Sequence, residues 1–147
     1  MVGLNVKTLR VIDANINRIG EGLRVLEDIA RLVLDDAGLS QQLKDMRHEL
    51  VKVDLTLEQR LLQVRNAAGD VGSNLEASGG QAYKDLGGTV VANARRVQEA
   101  LRVIEEMARN PGVALESDRF KQARFRIYTI EKELFAGLVD RNMAKDE

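Results

Sequence analysis

An internal repeat constrains the fold of this chain of 147 residues more than any other feature of its sequence. Residues 13–31 and 91–109 align without a gap at a shift of 78, and ten of the nineteen aligned positions are identical. Self-similarity at a fixed shift is typical of a duplicated structural unit. The identical pairs are Ala14/Ala92, Asn15/Asn93, Arg18/Arg96, Glu21/Glu99, Leu23/Leu101, Arg24/Arg102, Val25/Val103, Glu27/Glu105, Ala30/Ala108 and Arg31/Arg109.

Apolar residues recur at the spacing of an amphipathic helix in four segments, two in each half of the chain. The segments run from Ile12 to Val33, from Leu39 to Leu57, from Val90 to Ala108 and from Phe120 to Leu134. We therefore predict an all-α fold with four main helices, formed by a tandemly duplicated helical hairpin and arranged as a bundle with pseudo-twofold symmetry. The second segments of the two halves are more weakly similar, at a shift of 77, through Lys44/Lys121, Arg47/Arg124, Leu50/Ile127, Val53/Ile130 and Asp54/Glu131.

Glycine marks one long interruption between the two hairpins. Six of the twelve glycines lie between residues 69 and 88, and such clusters indicate loops rather than helices. We therefore predict a first repeat at about residues 8–64, a central loop at 65–86 and a second repeat at about 87–140, all within a single helical domain over residues 1–147.

The composition excludes several classes of site. The chain has no cysteine, which excludes thiolate catalysis, zinc ribbons and iron–sulfur clusters. Asp45 and His48 have the spacing of a di-iron ligand pair, but such a centre needs a second histidine, and this chain has only one. The sequence contains neither a Walker-type phosphate loop nor a serine–histidine–acid arrangement.

The charge balance also limits the partners. With 22 basic and 23 acidic residues the net charge is -1, and no basic stripe is left uncompensated, so we expect no nucleic-acid partner. The amino terminus lacks the apolar core of a signal peptide, and no apolar run approaches the roughly 20 residues of a spanning helix. We expect a cytoplasmic protein without a membrane partner.

Arginine is over-represented among the basic residues, at 15 against 7 lysines. The planar guanidinium binds carboxylate or phosphate oxygens in pairs, which lysine cannot do. Much of the excess belongs to the repeat, which suggests local phosphate binding. The duplicated arginines are Arg18/Arg96, Arg24/Arg102, Arg31/Arg109 and Arg47/Arg124.

Several repeated polar residues fall beside the apolar stripes when each helix is drawn at about 100° per residue. Asn15 lies at the edge of the first stripe, and Arg47 and Asp54 lie beside the leucines of the second helix. Together with Glu27 and their repeats, they either form a paired network that fixes helix register or bind a ligand.

Glu21 and Arg24 point away from the apolar stripe, as do their repeats Glu99 and Arg102. Surface ion pairs at this spacing contribute only about 0.2–0.5 kcal/mol, so a plain solvated face gives little reason for both copies to keep them. Their recurrence favours contact with a ligand or with another protein surface.

Two further residues are candidates. Asp70 lies between glycines, where the backbone can form a tight turn and offer a carboxylate to a metal; the alternative is a plain linker. His48 faces outward, either as an ordinary surface residue or as a hydrogen-bond donor to a phosphate.

Five motifs occur in order along the chain: DANINRIGEGLRVLEDIARLVL, LKDMRHEL, DVG, ANARRVQEALRVIEE and RFRIYTIEKEL. Over roughly residues 8–135 they resemble the ThiD2 family, an all-helical domain of thiamine biosynthesis that occurs alone or fused to thiamine-phosphate synthase. Where that family commonly has Arg-Asp-Thr before DVG, this chain has Arg65-Asn66-Ala67. Any role of that aspartate would here pass to Asp70.

The resemblance implies a kinase that converts hydroxymethylpyrimidine monophosphate to the diphosphate with ATP and magnesium. Phosphoryl transfer needs mainly positioning and charge neutralisation, so the repeated charged residues are the predicted site. The predicted catalytic residues are Arg24, Arg102, Glu21 and Glu99. The predicted substrate- and phosphate-binding residues are Asn15, Arg18, Arg47, His48, Asn93, Arg96 and Arg124, and the predicted magnesium ligands are Asp70 and Glu21.

The alternative is a non-catalytic helical module attached to a thiamine-phosphate synthase. Such a module would either form a homodimer or carry the pyrimidine intermediate to the synthase. Val25 and Val103, beside Glu21 and Glu99, would then form a self-complementary patch, because symmetric assemblies pair through equivalent surfaces.

Overall fold

The computed structural model describes residues 5–75 and 82–145, which contain helices and turns but no β-strand. The predicted all-α class is confirmed. Residues 76–81 of the predicted central loop lie outside the described part of the chain. The helices are α1 (Val6–Asp28), α2 (Ala37–Val51), α3 (Leu55–Val64), α4 (Leu86–Met107) and α5 (Ser117–Asp140), with a π-helical turn at Ile29–Val33 and a 3-10 turn at Val71–Asn74.

The first hairpin turns at the end of α1 without using a glycine. After the π-helical turn, the backbone N–H of Asp36 donates to the carbonyl of Ala30 at 2.9 Å. Asp35 has a φ of 51°, in the left-handed region that aspartate tolerates better than most residues. The Asp36 side chain then accepts a hydrogen bond from the N–H of Leu39 at 2.9 Å, which caps α2.

The described residues form five α-helices, so the prediction of four is wrong. The predicted helix from Leu39 to Leu57 is divided, because Lys52 leaves the helical conformation with a ψ of 107°. Asp54 then starts α3 by accepting a hydrogen bond from the N–H of Leu57 at 2.9 Å. In the second half of the chain, α5 runs unbroken for 24 residues.

The core is built around α1 and α4. Helix α1 packs against α2, α3 and α4, and α4 packs against α5, so that buried side chains from all five helices form one cluster. A Cβ atom at Gly22 would lie 2.5 Å from Cγ2 of Val97, so glycine permits the close approach of the two central helices. This crossing brings the two copies of the repeated motif side by side.

Among the described residues, no helix combines the length and the apolar character needed to cross a membrane.

Candidate functional site

Three grooves adjoin one another across the helices that carry the repeat. The first groove, of about 1020 Å³, lies between α1 and α2 and is lined by Gly20, Glu21, Arg24, Val25, Asp28, Arg47, His48, Val51, Lys52, Val53 and Glu58. The central groove, of about 640 Å³, lies between α1 and α4 and is lined by Asn15, Arg18, Glu21, Gly22, Val25, Asn93, Arg96, Glu99, Ala100 and Val103. The second groove, of about 550 Å³, lies between α4 and α5 and is lined by Arg95, Gln98, Glu99, Arg102, Arg124 and Tyr128.

The grooves share walls and therefore form one continuous surface. Glu21 and Val25 line both the first and the central groove, and Glu99 lines both the central and the second groove. Eleven of the twelve residues selected from the sequence lie on this surface, and Asp70 is the exception. The repeat thus identified a set of residues that the fold brings together.

The lining of the central groove consists of five residues of α1 and the five residues at the same repeat positions of α4. At the 78-residue shift, Asn15, Arg18, Glu21, Gly22 and Val25 correspond to Asn93, Arg96, Glu99, Ala100 and Val103. Each helix contributes one arginine and one glutamate, and these four side chains are exposed. The groove is therefore lined by equal numbers of positive and negative groups.

Two buried ion pairs occur at corresponding positions of the two halves. The Nε atom of Arg47 donates to Oε1 of Glu27 at 3.0 Å, and Nη2 of Arg124 donates to Oε1 of Glu105 at 3.0 Å. The glutamate side chains are only 7% exposed, so each needs its arginine. For these four residues the structure has the pairing that was one of the two predicted alternatives, and the ligand contact predicted for Arg47 and Arg124 stays a prediction.

Arg124 makes a further hydrogen bond within the protein, to Tyr128. Its Nη1 atom donates to the hydroxyl of Tyr128 at 3.2 Å. The hydrogen bond with Tyr128, together with the Glu105 carboxylate, raises the pKa of Arg124 against the opposing effect of burial. The guanidinium of Arg124 is therefore hydrogen-bonded by groups of the protein itself.

Both outward-facing arginines pair with carboxylates of their own helices, Arg102 more closely than Arg24. Nε of Arg24 lies 3.8 Å from Oδ1 of Asp28, and the Arg24 side chain is 56% exposed. Nη2 of Arg102 lies 3.0 Å from Oε1 of Glu106, and the Arg102 side chain is also 56% exposed. Exposed pairs of this kind contribute little to stability, so both arginines are accessible to a ligand, as the helical wheel predicts.

The two repeated asparagines are held within their own helices. Nδ2 of Asn15 donates to the carbonyl of Val11 at 2.8 Å, and Nδ2 of Asn93 donates to the carbonyl of Thr89 at the same distance. Oδ1 of Asn15 also accepts from Nη1 of Arg18 at 3.2 Å. Asn15 therefore positions Arg18 at the central groove, and its predicted role in substrate binding stays a prediction.

Asp70 does not belong to the three grooves. Its Oδ1 atom accepts a hydrogen bond from the N–H of Gly72 at 2.8 Å, which starts the 3-10 turn. Among the described residues, no three histidine, aspartate or glutamate side chains form a group suited to a metal ion. The predicted magnesium role of Asp70 and Glu21 stays a prediction.

Sequence reasoning missed several residues that shape the surface. Lys52 and Glu58 line the first groove because the chain breaks between α2 and α3, and the capping aspartate at Asp54 was the available signal for that break. Arg65 was noted only as part of a motif. It binds the Asp13 carboxylate through two hydrogen bonds of 2.8 and 2.7 Å, and this contact raises the pKa of Arg65.

Comparisons with known proteins agree on one family. The model of the ThiD2 family matches residues 10–133. A thiamine-phosphate synthase of Rhodopirellula baltica is 36% identical over 138 residues, which are 91% of this chain and 36% of that protein. A thiamine-phosphate synthase of Synechococcus sp. (strain WH7803) is 42% identical over 125 residues, 85% of this chain and 34% of that protein. No solved structure matches.

The comparisons correct the predicted activity. The chain spans about a third of the length of the relatives it matches, and they carry the name thiamine-phosphate synthase rather than that of a kinase. The prediction of an ATP-dependent hydroxymethylpyrimidine phosphate kinase is therefore wrong. The site roles predicted for Arg24, Arg102, Glu21 and Glu99 stay predictions. ATP and magnesium as cofactors stay untested predictions.

Proposed function

This chain belongs to the ThiD2 family, and on that premise we propose that it is a non-catalytic helical module that works with a thiamine-phosphate synthase. Its role is to hold a phosphorylated pyrimidine intermediate for that enzyme. The names of the relatives indicate the partner enzyme, and the arginine and glutamate side chains of the grooves indicate the class of ligand. Its cytoplasmic location stays a prediction from the sequence.

The observation that carries this proposal is the convergence of the repeated charged residues on one surface. Exposed arginines such as Arg24 offer paired N–H donors to phosphate oxygens. Exposed carboxylates such as Glu21 accept hydrogen bonds from amino groups on a ring. A ligand that carries both a phosphate and an aminated ring can use both kinds of residue at once.

Titration calorimetry tests the proposal directly. We expect hydroxymethylpyrimidine monophosphate to bind the chain saturably and Arg24→Ala to weaken this binding about tenfold, since a hydrogen bond to a charged group is worth about 1.5–3 kcal/mol. Arg109→Ala is the matched control, because Arg109 is 68% exposed and lies outside the three grooves. Absence of saturable binding, or equal loss in both variants, would overturn the proposal.

We also propose that the two hairpins are copies of one unit related by a pseudo-twofold axis. Three features recur at the repeat shift and support this: the buried Glu–Arg pairs, the asparagine bonds to the preceding turn, and a carboxylate flanked by two arginines. Oδ1 of Asp28 lies 3.8 and 3.7 Å from Arg24 and Arg31. Oε1 of Glu106 lies 3.0 and 3.8 Å from Arg102 and Arg109.

A second candidate function is homodimerisation through the central groove. The arginine and glutamate that each central helix contributes are exposed there, beside Val25 and Val103. A surface with equal and repeated charges is complementary to itself when a second copy is rotated onto it. A dimer of this kind leaves the first groove open to a ligand.

A further inference from the structure

The first and second grooves occupy equivalent positions in the two repeats, yet they differ in what fills them. The repeat shifts relate Glu21, Arg24 and Arg47 of the first groove to Glu99, Arg102 and Arg124 of the second. The shared residues give both grooves the same arginine and glutamate framework. The first groove is nevertheless about 1020 Å³ and the second about 550 Å³.

One cause of the difference is the pair Gly20 and Gln98, which occupy the same repeat position. Gln98 lines the second groove, where its Nε2 atom donates to Oε1 of Glu131 at 2.6 Å. Gly20 has no side chain, and a Cβ atom there would lie 3.1 Å from Cγ2 of Val51. The fixed glutamine of the second repeat therefore has no counterpart in the first, where Val51 lies against Gly20.

The second cause lies on the outer helices, at Val51 and its counterpart Tyr128. Tyr128 accepts a hydrogen bond from Nη1 of Arg124, while Nε and Nη2 of Arg124 donate to Glu105. All three nitrogens of Arg124 are therefore engaged. Arg47 donates only through Nε, to Glu27, and within the described residues its two Nη atoms have no hydrogen-bond partner.

The first groove has two residues, His48 and Lys52, without counterparts in the second, whereas the second has Arg95, which the first lacks. At the 77-residue shift the second repeat has Phe125 and Thr129 in place of His48 and Lys52. Among the described residues, no carboxylate lies within 4.0 Å of the Lys52 ammonium or the His48 ring. A phosphate entering the first groove would therefore meet Arg47, His48 and Lys52.

We propose that the first groove alone binds the ligand, and that the second groove is an equivalent site narrowed by its own side chains. The inferred ligand class is a phosphate ester of an aminated, planar heteroaromatic ring, bound once per chain. Arg47, His48 and Lys52, together with Arg24, face the phosphate. The valines beside them pack against the ring, and Glu21 or Glu58 accepts a hydrogen bond from its amino group. This assignment rests on the function proposed above.

Titration calorimetry on the full chain with hydroxymethylpyrimidine monophosphate tests the assignment. We expect one ligand per chain for the unmodified protein. Gly20→Gln, which copies the second repeat into the first, and Lys52→Thr, which removes the ammonium, should each weaken binding about tenfold or more. Gln98→Ala and Tyr128→Val should leave affinity and stoichiometry unchanged, because the second repeat, although Arg95 lines its groove, has Phe125 and Thr129 at the positions of His48 and Lys52.

Circular dichroism and thermal melting of each variant separate loss of binding from loss of folding. Gly20→Gln is expected to weaken binding by reducing the volume of the first groove. Gly20→Ala, which adds a much smaller side chain, is the second variant and should retain most of the affinity. Two ligands per chain, or sensitivity to Gln98→Ala with insensitivity to Gly20→Gln, would overturn the assignment while leaving the proposed function standing. No binding by the unmodified chain would overturn both.

Discussion

At the level of single residues, buried carboxylates decide how much of each arginine is left for a ligand. Glu27 and Glu105 each hold one arginine from the neighbouring helix. The two ion pairs differ in their hydrogen bonds, because Arg124 donates to Glu105 through Nε and Nη2 whereas Arg47 donates to Glu27 through Nε alone. The same pair of residue types thus stabilises both halves of the molecule, and in the first half it leaves nitrogen donors of the arginine available.

Arg47→Ala should lower the free energy of unfolding by about 3 kcal/mol, because removing one partner of a buried pair leaves the other charge without compensation. Urea denaturation followed by circular dichroism measures this. The double variant Glu27→Leu/Arg47→Met should recover most of the loss, since well-packed apolar side chains commonly replace a buried pair without cost.

Arg24→Ala is the control for that comparison, because Arg24 is 56% exposed and its ion pair contributes little. We expect a change within about 0.5 kcal/mol for this variant. Equal destabilisation by Arg24→Ala and Arg47→Ala would show that burial of the Glu27 pair does not govern stability.

At the level of helices, the sequence was sufficient for the all-α class and for many of the polar residues that line the grooves, but not for every helix end. The helical period holds across Lys52 because Leu50 and Leu57 are both buried, so periodicity could not reveal the break between them. The π-helical turn after α1 likewise has no glycine or proline to announce it. Asp70 was selected from its neighbours alone, and only tertiary structure shows that it lies away from the grooves.

The crossing of α1 and α4 should be sensitive to a single methyl group. Gly22→Ala places a Cβ atom 2.5 Å from Cγ2 of Val97 and 3.3 Å from the carbonyl oxygen of Asn93. We expect a net loss of stability, because overpacking costs about 1–3 kcal/mol and exceeds the gain of up to about 1 kcal/mol in helix propensity. The melting temperature should fall.

Gly38→Ala provides the matched control on a helix surface. A Cβ atom at Gly38 would lie 3.5 Å from Oδ1 of Asp36, its nearest neighbour, which is an ordinary contact. We expect this variant to melt at the same temperature as the unmodified chain or slightly higher. If the two alanine variants melted alike, the close crossing would not be limiting.

At the level of the whole molecule, the central groove predicts how the chain associates with itself. If two copies pair through this groove, the double variant Arg18→Glu/Arg96→Glu makes its charged lining wholly acidic and should abolish the dimer by repulsion. Sedimentation equilibrium at several protein concentrations measures the outcome. Arg109→Glu, outside the grooves, should leave the dimer intact, and an unmodified chain that is monomeric throughout would contradict the dimer.

The shared wall between the first and central grooves has a thermodynamic consequence. Glu21 and Val25 belong to both grooves, so a ligand and a second copy of the chain would contact the same two side chains from opposite sides. Binding at the two grooves is then linked, and linkage is reciprocal. If ligand binding changes the dimerisation constant by some factor, dimerisation changes the ligand's affinity by the same factor. The fraction of chains that hold the ligand then depends on the concentration of the chain.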